Sequence, residues 1–281
     1  MAIIDTMTYN GEDDLFDLHY NVLKDVVDEF RVIAFDKTFS GKPRAKIFTL
    51  DGSKYPKARF FLNTEHQYGK YLEMAYQSPQ TQGADHWKLE FAQKESIRDR
   101  LTDLGDEDRV IIGDVDEIID PEYIKKYGIW QTFKMSLKVY VYFLNNRSSE
   151  EFYGPLIGRW GYIKDDIENK SRSLNQLRGM YCWPPVLPYD AKAGWHFTSM
   201  GGPEALHVKL TDSYTADSYA TPEVLENLST RYGKQDFLGR NFTYRIDETG
   251  WPTYLKEHRH KYEHLCAADS SQSHDPSTET T

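Results

Sequence analysis

The sequence predicts an α/β fold with a mostly parallel central sheet, helices on both faces and an antiparallel C-terminal part. Apolar runs alternate with amphipathic segments over residues 1–120, which is the pattern of strand–helix units in a parallel sheet. The run FRVIAF at 30–35 is apolar at all but one position, which is typical of a strand covered on both sides. From residue 137 onward apolar and polar side chains alternate, which indicates an antiparallel or edge strand.

The elements of the first half follow the apolar spacing in order. Asp13 or Asp14 is expected to cap a first helix, because apolar residues from Leu15 to Val26 then fall on one face. The segment TFSGKPR at 38–44 is predicted to be a loop, since its glycine and proline interrupt regular structure. The remaining predicted elements are strands at 2–7, 30–35, 59–62 and 110–112 and helices at 65–76 and 86–104.

The second half is predicted to hold two strands and a helix. The strands fall at 137–143 and 152–163, where apolar and aromatic residues are frequent. The helix is expected to begin with Thr221 as its cap and Pro222 in its first turn, and to end at Gly233.

Length and composition bound the class of protein. The 281 residues suffice for one large domain, predicted over 1–266, followed by a small, polar tail at 267–281 that is expected to be disordered. The net charge of −10 argues against nucleic acid as a partner. No apolar run approaches the roughly 20 residues that span a bilayer, and the N-terminus lacks the features of a signal peptide. Because the two cysteines make no disulfide framework or zinc site, we expect a soluble protein of a reducing, cytoplasmic compartment.

Four carboxylates crowd the end of the strand predicted at 110–112. They are Asp114, Asp116, Glu117 and Asp120. Ligands of open parallel sheets bind at the carboxyl ends of the strands, and side chains two apart on an extended chain share a face. Asp114 and Asp116 are therefore expected to point together and to bind Mn²⁺ or Mg²⁺, which prefer oxygen ligands and would relieve the repulsion.

Four interpretations of this DxD pattern compete. A solvated acidic loop is the simplest, and an EF-hand calcium loop is excluded by the spacing. A phosphatase of the haloacid dehalogenase type also has a strand that ends in DxD, but Ile118 stands where that class has Thr or Val. A nucleotide-sugar glycosyltransferase, in which the metal bridges the donor's diphosphate, fits the strand–DxD context best.

Longer segments around the DxD pattern resemble glycosyltransferase family 17. The match rests on WKLEFAQKESI at 87–97 followed by DRVIIGDVDEI at 108–118, and on TFSGKP at 38–43. Two later segments agree in order, GWHFTSMGG at 194–202 and WPTYL at 251–255. The similarity thus extends over most of residues 3–265.

The resemblance implies a GT-A type fold and a metal-dependent, inverting transfer from a UDP-sugar to a hydroxyl of an oligosaccharide or glycoprotein acceptor, such as an N-glycan. N-acetylglucosamine is the family's usual donor sugar, and xylose is also compatible. Residues 1–120 would then form the nucleotide-sugar-binding half of the domain and residues 121–266 the acceptor-side half.

The resemblance also implies roles for single residues. Asp114 and Asp116 would bind the metal, with Asp114 also near the diphosphate. Lys42 would lie near the donor in the family's Gly-Lys-Pro loop. Apart from the resemblance, Arg98 is a candidate for the diphosphate or for an ion pair on its own helix, and Trp195 is a candidate for stacking on a sugar or for the core. His196 is the expected further metal ligand.

An inverting enzyme also needs a general base that takes the proton of the acceptor hydroxyl. Glu204 is one candidate, and Asp165 and Asp166 are the others, because all three follow the DxD pattern on the expected acceptor side. Each could equally be an ordinary surface carboxylate.

One departure from the family concerns the third metal ligand. Ala216 stands where many members have a histidine, so His196 or His207 would have to replace it. The loss of that histidine is the only support for the alternative, a catalytically inactive sugar-binding protein. Because eukaryotic members are membrane-tethered and this chain starts at its first strand, we expect a microbial or viral enzyme that acts in a cytoplasm.

Overall fold

A computed structural model of the protein describes residues 1–78, 85–127, 131–179, 185–187, 193–213 and 219–268. Within these ranges ten strands form one sheet. They are β1 (Ile3–Thr8), β2 (Glu29–Phe35), β3 (Ala58–Asn63), β4 (Arg109–Asp114), β5 (Glu117–Ile119), β6 (Phe133–Val141), β7 (Asn146–Arg159), β8 (Val186–Leu187), β9 (Gly194–Thr198) and β10 (Tyr244–Ile246).

Short helices connect these strands. The α-helices in the described ranges are α1 (Asp13–Leu23), α2 (Glu65–Tyr68), α3 (Leu72–Gln77), α4 (Asp85–Glu95), α5 (Pro121–Tyr127), α6 (Trp160–Glu168), α7 (Leu174–Arg178), α8 (Gly202–Ser213), α9 (Pro222–Glu226), α10 (Leu228–Arg231) and α11 (Thr253–Glu257). Segments of 3₁₀ helix cover Gly52–Lys54, Gly69–Tyr71, Ser96–Arg100 and Arg259–Leu265. In this part of the chain no helix has the length and apolar character needed to cross a bilayer.

The strand order is β3-β2-β1-β4-β7-β6-β9-β5, with β10 beside β7 and β8 beside β6. The first four strands are parallel, whereas β7 runs antiparallel to both β4 and β6. The predicted fold class, a parallel first half joined to a partly antiparallel second half, is therefore confirmed.

The sheet must curl, because only two residues separate β4 from β5. Two residues reach less than about 11 Å, whereas four neighbour steps across a flat sheet would span about 19 Å. The C-terminal half of the sheet therefore bends back toward the end of β4, and β5 pairs antiparallel with β9 at that place. The DxD segment occupies the connection between the two halves.

Helices cover both faces of the parallel half. On β4, Ile111 belongs to the apolar cluster that includes Leu18 of α1. Its neighbour Ile112 points the other way, into a cluster with Ile97 and Trp160. This alternation explains the unbroken apolar run of the strand, since both of its faces are buried.

Several predicted boundaries were wrong. The helix expected at 65–76 is three short segments, with Gly69 at the first break, and the one expected at 86–104 gives way to 3₁₀ helix after Glu95. The strand expected at 152–163 starts earlier and ends at Arg159. Trp160 instead begins α6, where it and Ile163 pack together on one face.

Three further expectations concern ends of elements. α1 starts one residue after the boundary residue Glu12, so Asp13 and Asp14 lie in its first turn and do not cap it. Thr221 caps α9 as predicted, by accepting a hydrogen bond from the Val224 N–H. The strand predicted at 137–143 is antiparallel to β7 but lies inside the sheet, covered by β9 on its other side.

Some predictions fall on residues outside the described ranges. Ala216 and Cys182 are among them, and so is the predicted tail beyond residue 268. Cys266, the other cysteine, is a free thiol.

Gly194 is predicted to be essential for the pairing of β5 with β9. Its φ is +156°, and a Cβ there would lie 2.8 Å from the Ile119 Cα and collide with the Ile118 carbonyl oxygen. Gly194→Ala is expected to lower the free energy of unfolding by about 2–3 kcal/mol, as measured by urea denaturation.

The control is Gly239→Ala. Gly239 also has a positive φ, of +77°, but its Cβ would meet nothing closer than 3.8 Å. That variant should lose only about 1 kcal/mol, from backbone strain alone. Equal losses in the two variants would contradict a steric role for Gly194.

Candidate active site

A cleft of about 730 Å³ opens at the carboxyl ends of β1 and β4. Its floor contains Asp114, Asp116 and Glu117, the three carboxylates of the DxD segment. One wall comes from the start of α1, and the opposite wall comes from α8. The cleft therefore lies where open parallel sheets bind their ligands.

Pairing of β4 with β1 places Asp114. It lies opposite Thr8 at the end of both strands, and the Thr8 hydroxyl donates to its carboxylate. Glu117 folds back and accepts a hydrogen bond of 3.1 Å from the Asp114 N–H. Gly113 leaves room for this fold, because a Cβ there would lie 2.8 Å from the Glu117 Oε2.

Two cations neutralise Asp114. Lys94 of α4 places its Nζ 3.4 Å from the carboxylate, and Arg178 at the end of α7 lies 3.3 Å from it. Arg178 also donates to both oxygens of Glu117 at 3.1 Å. Burial alone would raise the pKa of Asp114, but the charges of Arg178 and Lys94 outweigh burial and hold that pKa far below its usual range.

Glu117 behaves in the opposite way. Burial raises its pKa to about 7, and the neighbouring charge of Asp114 adds to this effect, while Arg178 opposes it. One of the two carboxylates around Arg178 is thus a permanent anion, and the other is poised to exchange a proton near neutral pH.

Asp116 faces a different pair of cations. His196 on β9 lies 3.4 Å away through its Nε2, and Lys209 of α8 lies 3.7 Å away through its Nζ. Burial works against both charges, yet the His196–Asp116 attraction raises the pKa of the imidazole and lowers the pKa of the carboxyl. The Phe152 ring packs on His196 at 3.9 Å between centroids, which fixes the imidazole in place.

Glu12 contributes a further carboxylate on the α1 wall of the cleft. It accepts a hydrogen bond of 2.7 Å from the Asn10 N–H. Burial raises its pKa, while the charge of Lys209 lowers it and that of Asp116 raises it further. Arg44 also lines this wall and donates to the Asn10 side chain at 2.7 Å.

The donor atoms at this place fit a divalent cation that is held by few side chains. The 3.4 Å between the Asp116 oxygen and the His196 nitrogen is close to the spacing of adjacent ligands on one ion, about 3 Å for bonds of about 2.1 Å. In the described ranges no three His, Cys, Asp or Glu side chains converge as a complete metal cage. Such a partial set suits Mn²⁺ or Mg²⁺, which commonly complete their coordination with substrate phosphates and water.

Of the residues predicted for the donor, some lie outside the cleft. Lys42 is half exposed and bonds the Thr211 carbonyl at 2.8 Å, beside the end of α8. Arg98 pairs with Glu95 at 3.0 Å. Trp195 points opposite to His196, into the apolar core, where its indole N–H donates to a backbone carbonyl.

The three predicted base candidates separate in the structure. Glu204 lies in the first turn of α8 and is exposed; it does not line the cleft, although its neighbours Gly201 and Ala205 do. Asp165 and Asp166 lie on α6 outside the cleft, where both pair with Lys170. His207, named as a substitute metal ligand, is exposed on α8 and does not line the cleft.

Sequence analysis missed the cations of the site. Arg178 follows an ordinary helix start at Ser173, and nothing in its local sequence points to a residue 64 positions earlier. Lys209 looks like a surface lysine, and Lys94 is one of several charged residues on its helix. Their role appears only when α4, α7 and α8 are placed around the end of β4.

The fold is α/β, and its cleft lies at the carboxyl ends of parallel strands, where such sheets bind ligands. The chain belongs to glycosyltransferase family 17, whose family model matches residues 1–174. It is therefore a glycosyltransferase. The match includes the DxD segment and the 38–43 loop, whereas the segments at 194–202 and 251–255 lie beyond it.

Comparison with solved structures finds the 2-C-methyl-D-erythritol 4-phosphate cytidylyltransferase of Francisella tularensis. The sequences are 10% identical, and the match covers 66% of this chain and 89% of the other, with a TM-score of 0.32. No curated protein matches the chain.

Glu117 is predicted to make stability depend on pH. Its pKa is about 7 in the folded protein, against 4.5 for an ordinary glutamate. Its contribution to stability is therefore complete below about pH 4.5 and is lost as the pH rises through about 7. The free energy of unfolding of wild type should therefore fall between these pH values, whereas that of Glu117→Gln, which cannot ionise, should not. The difference between the two proteins should change by up to about 3 kcal/mol over this interval, in favour of the variant.

Urea unfolding from about pH 5 to about pH 8 measures this difference. Glu107→Gln is the control, because Glu107 is largely exposed and pairs with Arg159 at the surface. Its difference from wild type should stay nearly constant over the same interval. If the Glu117→Gln difference also stays constant, the buried carboxyl does not take up a proton on folding.

Proposed function

We propose that the protein transfers a sugar from a UDP-sugar to a glycan hydroxyl, with inversion and with the help of Mn²⁺ or Mg²⁺. The observation that carries the proposal is the meeting of Asp114 and Asp116 with Lys94, Arg178 and Lys209 at the carboxyl edge of parallel strands. A site that holds both anionic metal ligands and fixed cations suits a metal-bound diphosphate.

The residues of the cleft would have different roles toward the diphosphate. Asp114 and Asp116 would hold the metal, with His196 beside Asp116 as the third candidate. When bound, the cation would stabilise the charge that develops on the departing nucleoside diphosphate. Lys94 lines the cleft and would donate to a phosphate oxygen there. Arg178 does not line the cleft and would act by holding Asp114 and Glu117 in place.

The acceptor would enter on the side of the cleft away from β1. That side is lined by α8 and by Glu150, Phe152, Phe237 and Arg240. Glu204 remains the proposed general base, since its neighbours Gly201 and Ala205 line this side. N-acetylglucosamine is the proposed donor sugar, with xylose as the alternative, and both rest on the family.

The first test of the proposal is removal of the metal and of its ligand. Wild type should release UDP from UDP-N-acetylglucosamine with Mn²⁺, and EDTA should abolish this activity. Asp114→Asn should lower kcat/KM at least about 100-fold, because the charge that balances the metal and orients it is lost. Release of UDP measured by a coupled assay gives both results.

Asp106→Asn is the control, since Asp106 is exposed and lies at the opposite end of β4. It should leave the activity unchanged. UDP binding without turnover would favour the sugar-binding alternative. Hydrolysis of p-nitrophenyl phosphate that Asp114→Asn abolishes would instead favour the phosphatase.

The second test distinguishes contacts to the diphosphate of UDP from contacts to its nucleoside. Lys94→Met should weaken UDP binding about tenfold, because one charge-assisted hydrogen bond to the diphosphate is lost. Binding of uridine should not change. Calorimetric titration with both ligands measures this contrast.

Lys37→Met serves as the control for a general change in charge. Lys37 pairs with Glu65 away from the cleft floor. That variant should bind UDP and uridine as wild type does. An equal loss for uridine and UDP in Lys94→Met would place Lys94 outside the phosphate site.

A further inference from the structure

A fully buried ion pair lies beneath the DxD segment, and no step of the proposed reaction uses it. His19 of α1 and Asp5 of β1 are each only 1% exposed. The His19 Nε2 lies 2.7 Å from the Asp5 carboxylate, and the Nδ1 lies 2.9 Å from the carbonyl oxygen of Val115. Val115 is the residue between Asp114 and Asp116.

Both ring nitrogens of His19 thus face hydrogen-bond acceptors. A neutral imidazole carries one proton. With that proton on Nδ1, the Nε2 lone pair would oppose the carboxylate, and with the proton on Nε2, the Nδ1 lone pair would oppose the carbonyl. With Asp5 as a carboxylate, only the doubly protonated ring satisfies both contacts, and its charge is then balanced by Asp5.

The contact to Val115 adds a second support to the turn. Its first support is the Val115 N–H, which donates to the Thr8 carbonyl at 3.1 Å. The backbone of Val115 is therefore held on both sides, by the end of β1 and by His19. Since β1 pairs with β2 on one side and with β4 on the other, this support comes from a strand inside the sheet.

We propose that His19 is a positioning residue of the active site: in its doubly protonated form it links Asp5 to the Val115 carbonyl and thereby sets the turn that presents Asp114 and Asp116. The inference rests on the proposed function only where UDP binding is its readout. The protonation state and the position of the turn can be measured without any ligand.

The proposal predicts a loss of order in the turn at high pH. Burial opposes the charge of His19, but Asp5 raises the pKa of the imidazole above its usual value, and the Val115 carbonyl and Glu117 of β5 act in the same direction. From β2 the uncharged ring of Phe30 faces the imidazole edge-on, at 6.4 Å between centroids. The stabilisation is therefore present below the usual pKa of about 6.5 and is lost as the pH rises through the higher value in the folded protein.

Nitrogen-15 NMR of the full chain tests the protonation state directly. His19→Gln identifies the His19 signals, which should show protons on both ring nitrogens at neutral pH. The same variant should shift the amide signals of Val115 and Asp116, because a glutamine cannot donate to Asp5 and to the Val115 carbonyl together. A ring with one bare nitrogen at neutral pH overturns the proposal.

Asp5→Asn tests the role of the charge. An asparagine oxygen still accepts from Nε2, but it no longer balances the imidazolium. UDP binding with Mn²⁺ should therefore fall off at lower pH than in wild type, and His19→Gln should bind UDP about tenfold more weakly at every pH. An unchanged pH profile in Asp5→Asn, or wild-type affinity in folded His19→Gln, also overturns the proposal.

Leu18→Ala controls for instability. Leu18 is fully buried beside His19 on α1 but belongs to the apolar core. It should lower the melting temperature and leave the midpoint of the pH profile in place, so a shift seen equally in Leu18→Ala overturns the specific role of His19. If wild type does not bind UDP, the proposed function fails, and the two NMR results alone decide the role of His19.

Discussion

The active site depends on the balance of charge around the DxD segment. Asp114, Asp116 and Glu117 line the floor of one cleft, and Asp116 and Glu117 are buried there, where unbalanced carboxylates are costly. Helices from distant parts of the chain supply the compensating cations, namely Lys94 from α4, Arg178 from α7 and Lys209 from α8. Each of these helices is therefore tied electrostatically to the same turn. The four-residue segment at 114–117 is therefore stabilised by contacts from several distant parts of the domain.

The three carboxylates are not neutralised equally, so their pKa values differ. Asp114 receives two cations and a hydroxyl donor, so it stays ionised under all ordinary conditions. Asp116 pairs with one histidine and one lysine. The pKa of Glu117 is about 7, so this carboxyl can exchange its proton near neutral pH. Three adjacent carboxylates thus have three different acidities because of their neighbours alone. A cation or a phosphate that enters this cleft meets fixed charges of both signs, which is the arrangement expected of a site for a metal-bound diphosphate.

The layered fold could be predicted from the sequence because each strand and helix shows its burial in its own pattern of apolar residues. The apolar runs at 30–35 and 110–112 and the alternation after residue 137 each report the burial of their own strand. The DxD pair could be found in the same way, since it directly follows its strand. Arg178, Lys209 and Glu12 could not, because they lie far from the pair in sequence and approach it only in the folded chain. Trp195 shows the reverse error: it was a candidate for stacking on a sugar, but it lies in the core because neighbours on a strand point to opposite faces.

The connection between β4 and β5 joins the two aspartates to strands from different parts of the sheet. Asp114 ends a strand of the parallel half, while Glu117 begins a strand that pairs with β9, and the Phe197 N–H of β9 donates to the Asp116 carbonyl at 2.9 Å. The two aspartates are thus held by different parts of the sheet. The gap between their carboxylates, and with it the fit to the proposed cation, is set by where β9 and β5 meet the end of β4.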